Sequence, residues 1–165
     1  TTSKPQELYW KIDIYGDFNT YDLERAQQEI PFLMITPAYL PSNLSEYPYI
    51  KGPLKGSCAE NEVRVLITYQ PKEAGSKGLI QIIEENRIII PPDVIQHPEC
   101  ADMEIGEIKL VECPDSLPSQ APDGSGDYLG FRFHWNQGDV SFNVGIYGYE
   151  QSEAVKIVES MIEQD

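Results

Sequence analysis

The chain has 165 residues, 41% hydrophobic and 24% charged, enough for one well-buried core and too apolar for pervasive disorder. Its 12 basic residues against 27 acidic ones give a formal charge of −15, which argues against a phosphate-backbone or an anionic membrane surface as partner. The longest apolar run, residues 30–35, is interrupted by Pro31 and falls far short of a bilayer span.

The first residue is Thr1 rather than a methionine, so a targeting segment or membrane tether is expected upstream, with residues 1–7 frayed. Residues 8–15 alternate imperfectly: Trp10, Ile12 and Ile14 share one face and Lys11 and Asp13 the other, as in a half-buried strand. Residues 16–20 carry turn chemistry, and Asn19 or Thr20 suits a helix N-cap. A helix is predicted over 21–29, with Leu23, Ala26 and Ile30 at helical spacing and Asp22 and Glu24 near its positive end. Pro31 stops it, because the residue before a proline disfavours the helical region. Residues 32–41 are apolar but cut by Pro37 and Pro41, which excludes a central strand. They read as an extended segment that crosses and plugs the edge of a sheet with Phe32, Leu33, Ile35, Tyr39 and Leu40.

The blocks Glu24-Arg25-Ala26-Gln27, Pro31-Phe32 and Pro37-Ala38-Tyr39-Leu40-Pro41 resemble the opening of an uncharacterised bacterial and archaeal domain family. Members of that family are carried on lipoproteins and anti-sigma-like membrane proteins, usually outside the membrane. They continue with a Val-x-Leu-x-Tyr type strand, a second strand, a Trp-containing hairpin and a short helix. This chain follows that order from residue 21 to its end, but its stretches 47–60 and 86–102 are longer than the resemblance implies, and both carry cysteines. The resemblance implies an extracytoplasmic, tethered domain and supplies no ligand.

Residues 62–69 form a predicted strand with Val63, Val65, Ile67 and Tyr69 on one face, and residues 78–84 pair back after a polar turn. Pro91, Pro92 and Pro98 keep 85–102 irregular, although Ile88 to Ile90 can prolong the preceding strand. Residues 104–111 read as one further strand around Ile105, Ile108 and Leu110, and 114–127 as an exposed loop. Strands over 128–135 and 140–147 flank the turn Asn136-Gln137-Gly138-Asp139, and a helix follows over 150–163 with an apolar stripe of Ala154, Val155, Val158, Met161 and Ile162. Phe131, Phe133 and Trp135 share the face expected to meet that helix, and Arg132 and His134 share the other. The expected fold class is α+β: a curved antiparallel meander of five to seven strands in a single domain over 1–165, with an N-terminal and a C-terminal helix packed on one face.

Cys58, Cys100 and Cys113 make an odd count without a Cys-x-x-Cys pair. A Cys58–Cys100 bridge is the preferred pairing, since both precede strands at one end of a meander; Cys100–Cys113 would clip one strand onto its own loop. Glu60, Glu99, Asp102, Glu112 and Asp115 surround the cysteines with acid, which raises a thiol's pKa and disfavours a nucleophile. His97, Cys100 and His134 lack zinc-ligand spacing, and Asp123-Gly124-Ser125-Gly126-Asp127 lacks the glycine and bidentate glutamate of a calcium loop. No metal, cofactor or catalytic residue is therefore assigned. Tyr47, Tyr49, Tyr147 and Tyr149 are the candidate lining of a groove for a sugar or an apolar ligand. The expected function is a non-enzymatic extracytoplasmic binding or sensing domain at the cell envelope, for a small-molecule or protein ligand and not for nucleic acid. A metal-dependent hydrolase using His97, His134 and nearby carboxylates is the alternative, alongside a purely structural partner-docking module.

Overall fold

The computed structural model describes residues 10–53, 62–88, 98–117 and 128–163. Among these residues nine antiparallel strands form one sheet in the order β1-β2-β3-β4-β5-β9-β8-β7-β6. The strands are β1 (Trp10–Ile12), β2 (Phe18–Thr20), β3 (Tyr49–Gly52), β4 (Arg64–Tyr69), β5 (Leu79–Glu85), β6 (Ala101–Ile105), β7 (Ile108–Leu117), β8 (Tyr128–Gln137) and β9 (Val140–Tyr147). Two meanders, β1 to β5 and β6 to β9, meet where β9 pairs with β5. Among the described residues two helices, α1 (Leu23–Glu29) and α2 (Gln151–Ile162), accompany the sheet in an α+β architecture.

The sheet exceeds the expected five to seven strands for three local reasons. Phe18–Thr20 lies in the segment read as a turn, and its three residues are too few to show a period of two. Tyr49–Gly52 is equally short and ends before Pro53. The single strand expected over 104–111 is a hairpin instead: Gly106 adopts φ +59° between Ile105 and Ile108, a left-handed conformation suited to glycine. Strand β7 then runs on through Pro114 to Leu117, into part of the expected loop. Asp22, rather than Asn19 or Thr20, caps α1, with Oδ1 accepting from the Arg25 N–H at 3.1 Å.

Alternation sorts the sheet into two faces. Ile50, Val65, Ile67, Ile80, Ile82, Val144, Ile146, Phe133 and Trp135 are buried on one of them, in a core shared with Ala26 of α1 and with Ala154, Ile157, Val158 and Met161 of α2. Helix α2 packs against β8, so the Phe133–Trp135 face meets the C-terminal helix as expected. The segment between α1 and β3 does not plug a sheet edge. It crosses the core face, because its polar anchors lie on central elements. The Gln27 side chain donates to Phe32 O and accepts from the Met34 N–H, and Glu84 of β5 accepts from the Ile35 N–H at 2.8 Å. Tyr39 donates to Glu153 of α2 while Lys156 stands 4.1 Å over the Tyr39 ring, so α2 holds the segment too. Leu33, expected inside, is 75% exposed; Met34 is buried in its place.

The disulfide joins Cys100 to Cys113, with Cα atoms 4.2 Å apart. This corrects the Cys58–Cys100 pairing. The reason is the unexpected hairpin: Ala101 faces Glu112, so the next rung of the β6–β7 ladder brings Cys100 against Cys113. Cys58 lies outside the described residues. Cys113→Ser is expected to lower stability by about 3 kcal/mol, the typical value for closing a loop of this length. Urea denaturation measures the loss, and thiol titration of the denatured oxidised chain should find a single thiol against three after reduction, as the cysteine count and this bridge require.

Candidate functional site

Among the described residues one sheet face carries no helix, and this helix-free face holds the polar side chains of the sheet. Pairing aligns Tyr49 with Thr68, Thr68 with Gln81, Gln81 with Gly145, and Gly145 with Arg132 in one transverse row. At its β3–β4 end the row opens into a depression of about 320 Å³, lined by Tyr21, Tyr47 and Tyr49 with Ser45, Thr68, Gln70, Pro71 and Lys72. Tyr49 opens β3 and Tyr47 stands in the bend just before it, and both rings line the depression. Tyr21 packs edge-on against Tyr49, ring centroids 5.7 Å apart. The Tyr49 hydroxyl donates to Asn19 Oδ1, and the Tyr47 hydroxyl is engaged by Glu46. Burial, first of all, raises the pKa of both hydroxyls, so both stay neutral in ordinary buffers.

The four candidate tyrosines do not share one groove. Tyr149 donates to Asn43 Oδ1 at 2.8 Å and rests beside Gly78, where it fastens the crossing segment. Tyr147 is fully buried on the helix-free face, inside a polar cluster. Its hydroxyl donates to Asp115 Oδ2 at 2.6 Å and accepts from the Arg132 guanidinium at 2.5 Å. Arg132 also donates to Asp115 at 3.1 Å and to Asn143 at 2.5 Å. Burial alone would raise the Asp115 pKa, but the hydrogen bonds from Tyr147 and Arg132 outweigh it and hold the carboxyl below its usual range. Burial, with the Asp115 bond second, pushes Tyr147 up to about 12. The cluster is self-satisfied and is built to hold its shape.

Two glycines make room for it. A Cβ on Gly145 would lie 2.6 Å from the Tyr147 hydroxyl oxygen and 2.8 Å from an Arg132 nitrogen, and one on Gly130 would lie 2.2 Å from the Ile146 carbonyl oxygen. Gly145→Ala should therefore displace the Tyr147–Arg132–Asp115 group and cost about 1–3 kcal/mol, checked by urea denaturation alongside the hydroxyl and guanidinium NMR signals.

His134 stands one rung along from Arg132 on β8, opposite Asn143. Burial, and then the positive charge of Arg132, depress its pKa to about 4, so the ring is neutral near pH 7. Among the described residues no group of three His, Cys, Asp or Glu side chains is placed to hold a metal ion. His97 and Asp123 to Asp127 lie outside the described residues. Tyr21 and Asp115 escaped the sequence reading, because one follows a turn and the other sits in a strand that looked like loop. The alternation that put Arg132 opposite Phe133 was the available signal for the cluster.

Comparison with protein-family models, with curated proteins and with solved structures finds no match to this chain.

Proposed function

We propose that the chain is a non-enzymatic extracytoplasmic binding domain whose ligand seat is the tyrosine-lined depression on the helix-free face. The observation that carries this reading is the convergence of Tyr21, Tyr47 and Tyr49 on one concavity of about 320 Å³, close to the lower size limit of ligand pockets. Rings supply apolar contact at low conformational cost, and the hydroxyl and amide groups beside them orient what binds. The Cys100–Cys113 bridge supports an oxidising compartment, since structural disulfides persist outside the cytosol. No helix among the described residues is long and apolar enough to cross a membrane. The resemblance to lipoprotein-borne domains supports the same location. The hydrolase reading finds less support, because the cationic Arg132 beside His134 repels a metal ion.

A fragment library screened by amide-resolved NMR tests the proposal. Shifts should concentrate on Tyr21, Tyr47, Tyr49 and Thr68, and Tyr47→Ala should remove them. Shifts scattered over the surface, or clustered elsewhere, would displace the seat.

A further inference from the structure

We infer that the ligand is a hydroxyl-rich saccharide, bound with one ring in the tyrosine depression and its chain running across the strands toward Arg132. The inference rests on the proposed binding role and names its ligand class. Three observations lead to it.

The first is the lining. Beside the three tyrosine rings stand Ser45, Thr68 and Gln70, and only Pro71 is purely apolar. A lipid-like ligand would strand those polar groups without partners. A pyranose instead offers an apolar C–H face to an aromatic ring and a rim of hydroxyls to its neighbours.

The second is which hydrogen-bonding groups remain to be used. Asn19 engages the Tyr49 hydroxyl and Glu46 engages that of Tyr47. Among the described residues the side chains of Thr68, Gln70 and Gln81 make no hydrogen bond, and each has both donor and acceptor capacity. Sugar hydroxyls donate and accept in the same way. A proline-rich peptide, the other ligand that stacks on tyrosines, presents mainly carbonyl acceptors and matches these groups less well.

The third is direction. Thr68, Gln81, Gly145 and Arg132 follow one another on successive strands. At a strand spacing of about 4.8 Å, the row from Thr68 to Arg132 spans about 14 Å, the scale of a short oligosaccharide. Over Gly145 the space is filled by the Tyr147 ring and the Arg132 guanidinium, so the rigid Tyr147–Asp115–Arg132 cluster bounds the far end of the row beyond Gln81. The chain's overall charge of −15 disfavours polyanions, and neutral saccharides are therefore the first to test; Lys72 is the charged side chain in the depression's lining.

The test is titration of the full chain with linear neutral glucose and N-acetylglucosamine oligomers of increasing length, followed by amide-resolved NMR. Shifts should appear at Tyr47, Tyr49 and Thr68 with the monosaccharides and extend to Gln81 as the oligomer lengthens, with affinity rising alongside. Tyr47→Ala should weaken binding about tenfold or more, and Thr68→Val should shorten the reach of the shifts. Tyr15→Ala, at an 80% exposed position outside the lining of the depression, serves as the fold and baseline control. Absence of shifts at millimolar oligosaccharide overturns the saccharide inference. A proline-rich peptide titrated in parallel separates the two levels of the argument. If the peptide shifts the same residues, the seat stands and the ligand class is wrong; if peptide, sugars and fragments all leave them unmoved, the binding role falls as well.

Discussion

Replacing Glu84 by glutamine should flatten the pH dependence of stability between about pH 4.5 and 8. Glu84 is fully buried on the core face of β5, beneath the segment that follows α1. One carboxyl oxygen accepts from the Ile35 N–H at 2.8 Å, and the other has no hydrogen-bond partner. Burial pushes its pKa up to about 8, and the single backbone bond offsets only part of that. The folded chain thus keeps this proton until about pH 8, while the unfolded chain releases it near the ordinary glutamate value of 4.5. Stability linked to the group is complete below the lower value and is lost as pH rises through the folded one.

At about 1.4 kcal/mol per pH unit, the loss across that window approaches 4–5 kcal/mol. Glu84→Gln keeps an acceptor for Ile35 and cannot ionise, so its urea midpoint should change little where the wild type declines. Above pH 8 the variant should be the more stable of the two, less about 1–3 kcal/mol for an amide N–H left without a partner. Parallel pH profiles for the two proteins would show that Glu84 ionises normally in the fold. His134 acts in the opposite direction. Its pKa is depressed to about 4, so its contribution is present above the unfolded value of 6.5 and lost as pH falls through 4. The two groups together narrow the stable range from both sides.

Trp135→Ala should cost about 3–5 kcal/mol, measured as a fall in urea midpoint with an unchanged slope. Trp135 is 2% exposed and stacks on Phe142 with ring centroids 4.9 Å apart and planes within 5°. Its partners on the same rung are Leu110 of β7 and Phe142 of β9, so truncation leaves a cavity between two strands of the second meander and α2. Both neighbours are in strands paired on both sides and cannot collapse far into the gap. Trp135→Phe retains most of the ring area and should cost well under half as much. An alanine variant as stable as the wild type would mean that α2 does not depend on this rung.

The closing hairpin and α2 were legible because each is long enough to repeat its pattern. Phe131, Phe133 and Trp135 of β8 and Phe142, Val144 and Ile146 of β9 recur at every second position, and Gly138, at φ +62°, supplies the turn between the strands. The apolar stripe of α2 announced its buried side, though Ile157 belongs to it and Val155 only borders it. Strand β2 was illegible for the opposite reason. Phe18, Asn19 and Thr20 are all buried, so no alternation distinguishes them from a turn. Of the candidate site, Tyr47 and Tyr49 were readable as aromatic neighbours, whereas Tyr21 joins them only because β2 pairs with β3 and carries the residue after Thr20 to Tyr49.

The sequence by itself determined the acidic balance, the α+β class, both helices and the inward faces of the long strands, since these follow from composition and local period. Tertiary structure alone decided the pairings between distant segments. Antiparallel contact of β9 with β5 joins the two meanders, and the Gly106 turn sets Cys100 against Cys113. The path of residues 31–39 over the core face is likewise fixed by hydrogen bonds to Gln27, Glu84 and Glu153, which no periodicity encodes. Register and long-range hydrogen bonds depend on where strands meet, and a one-residue slip would exchange every face; local pattern therefore names the faces but leaves the partners open.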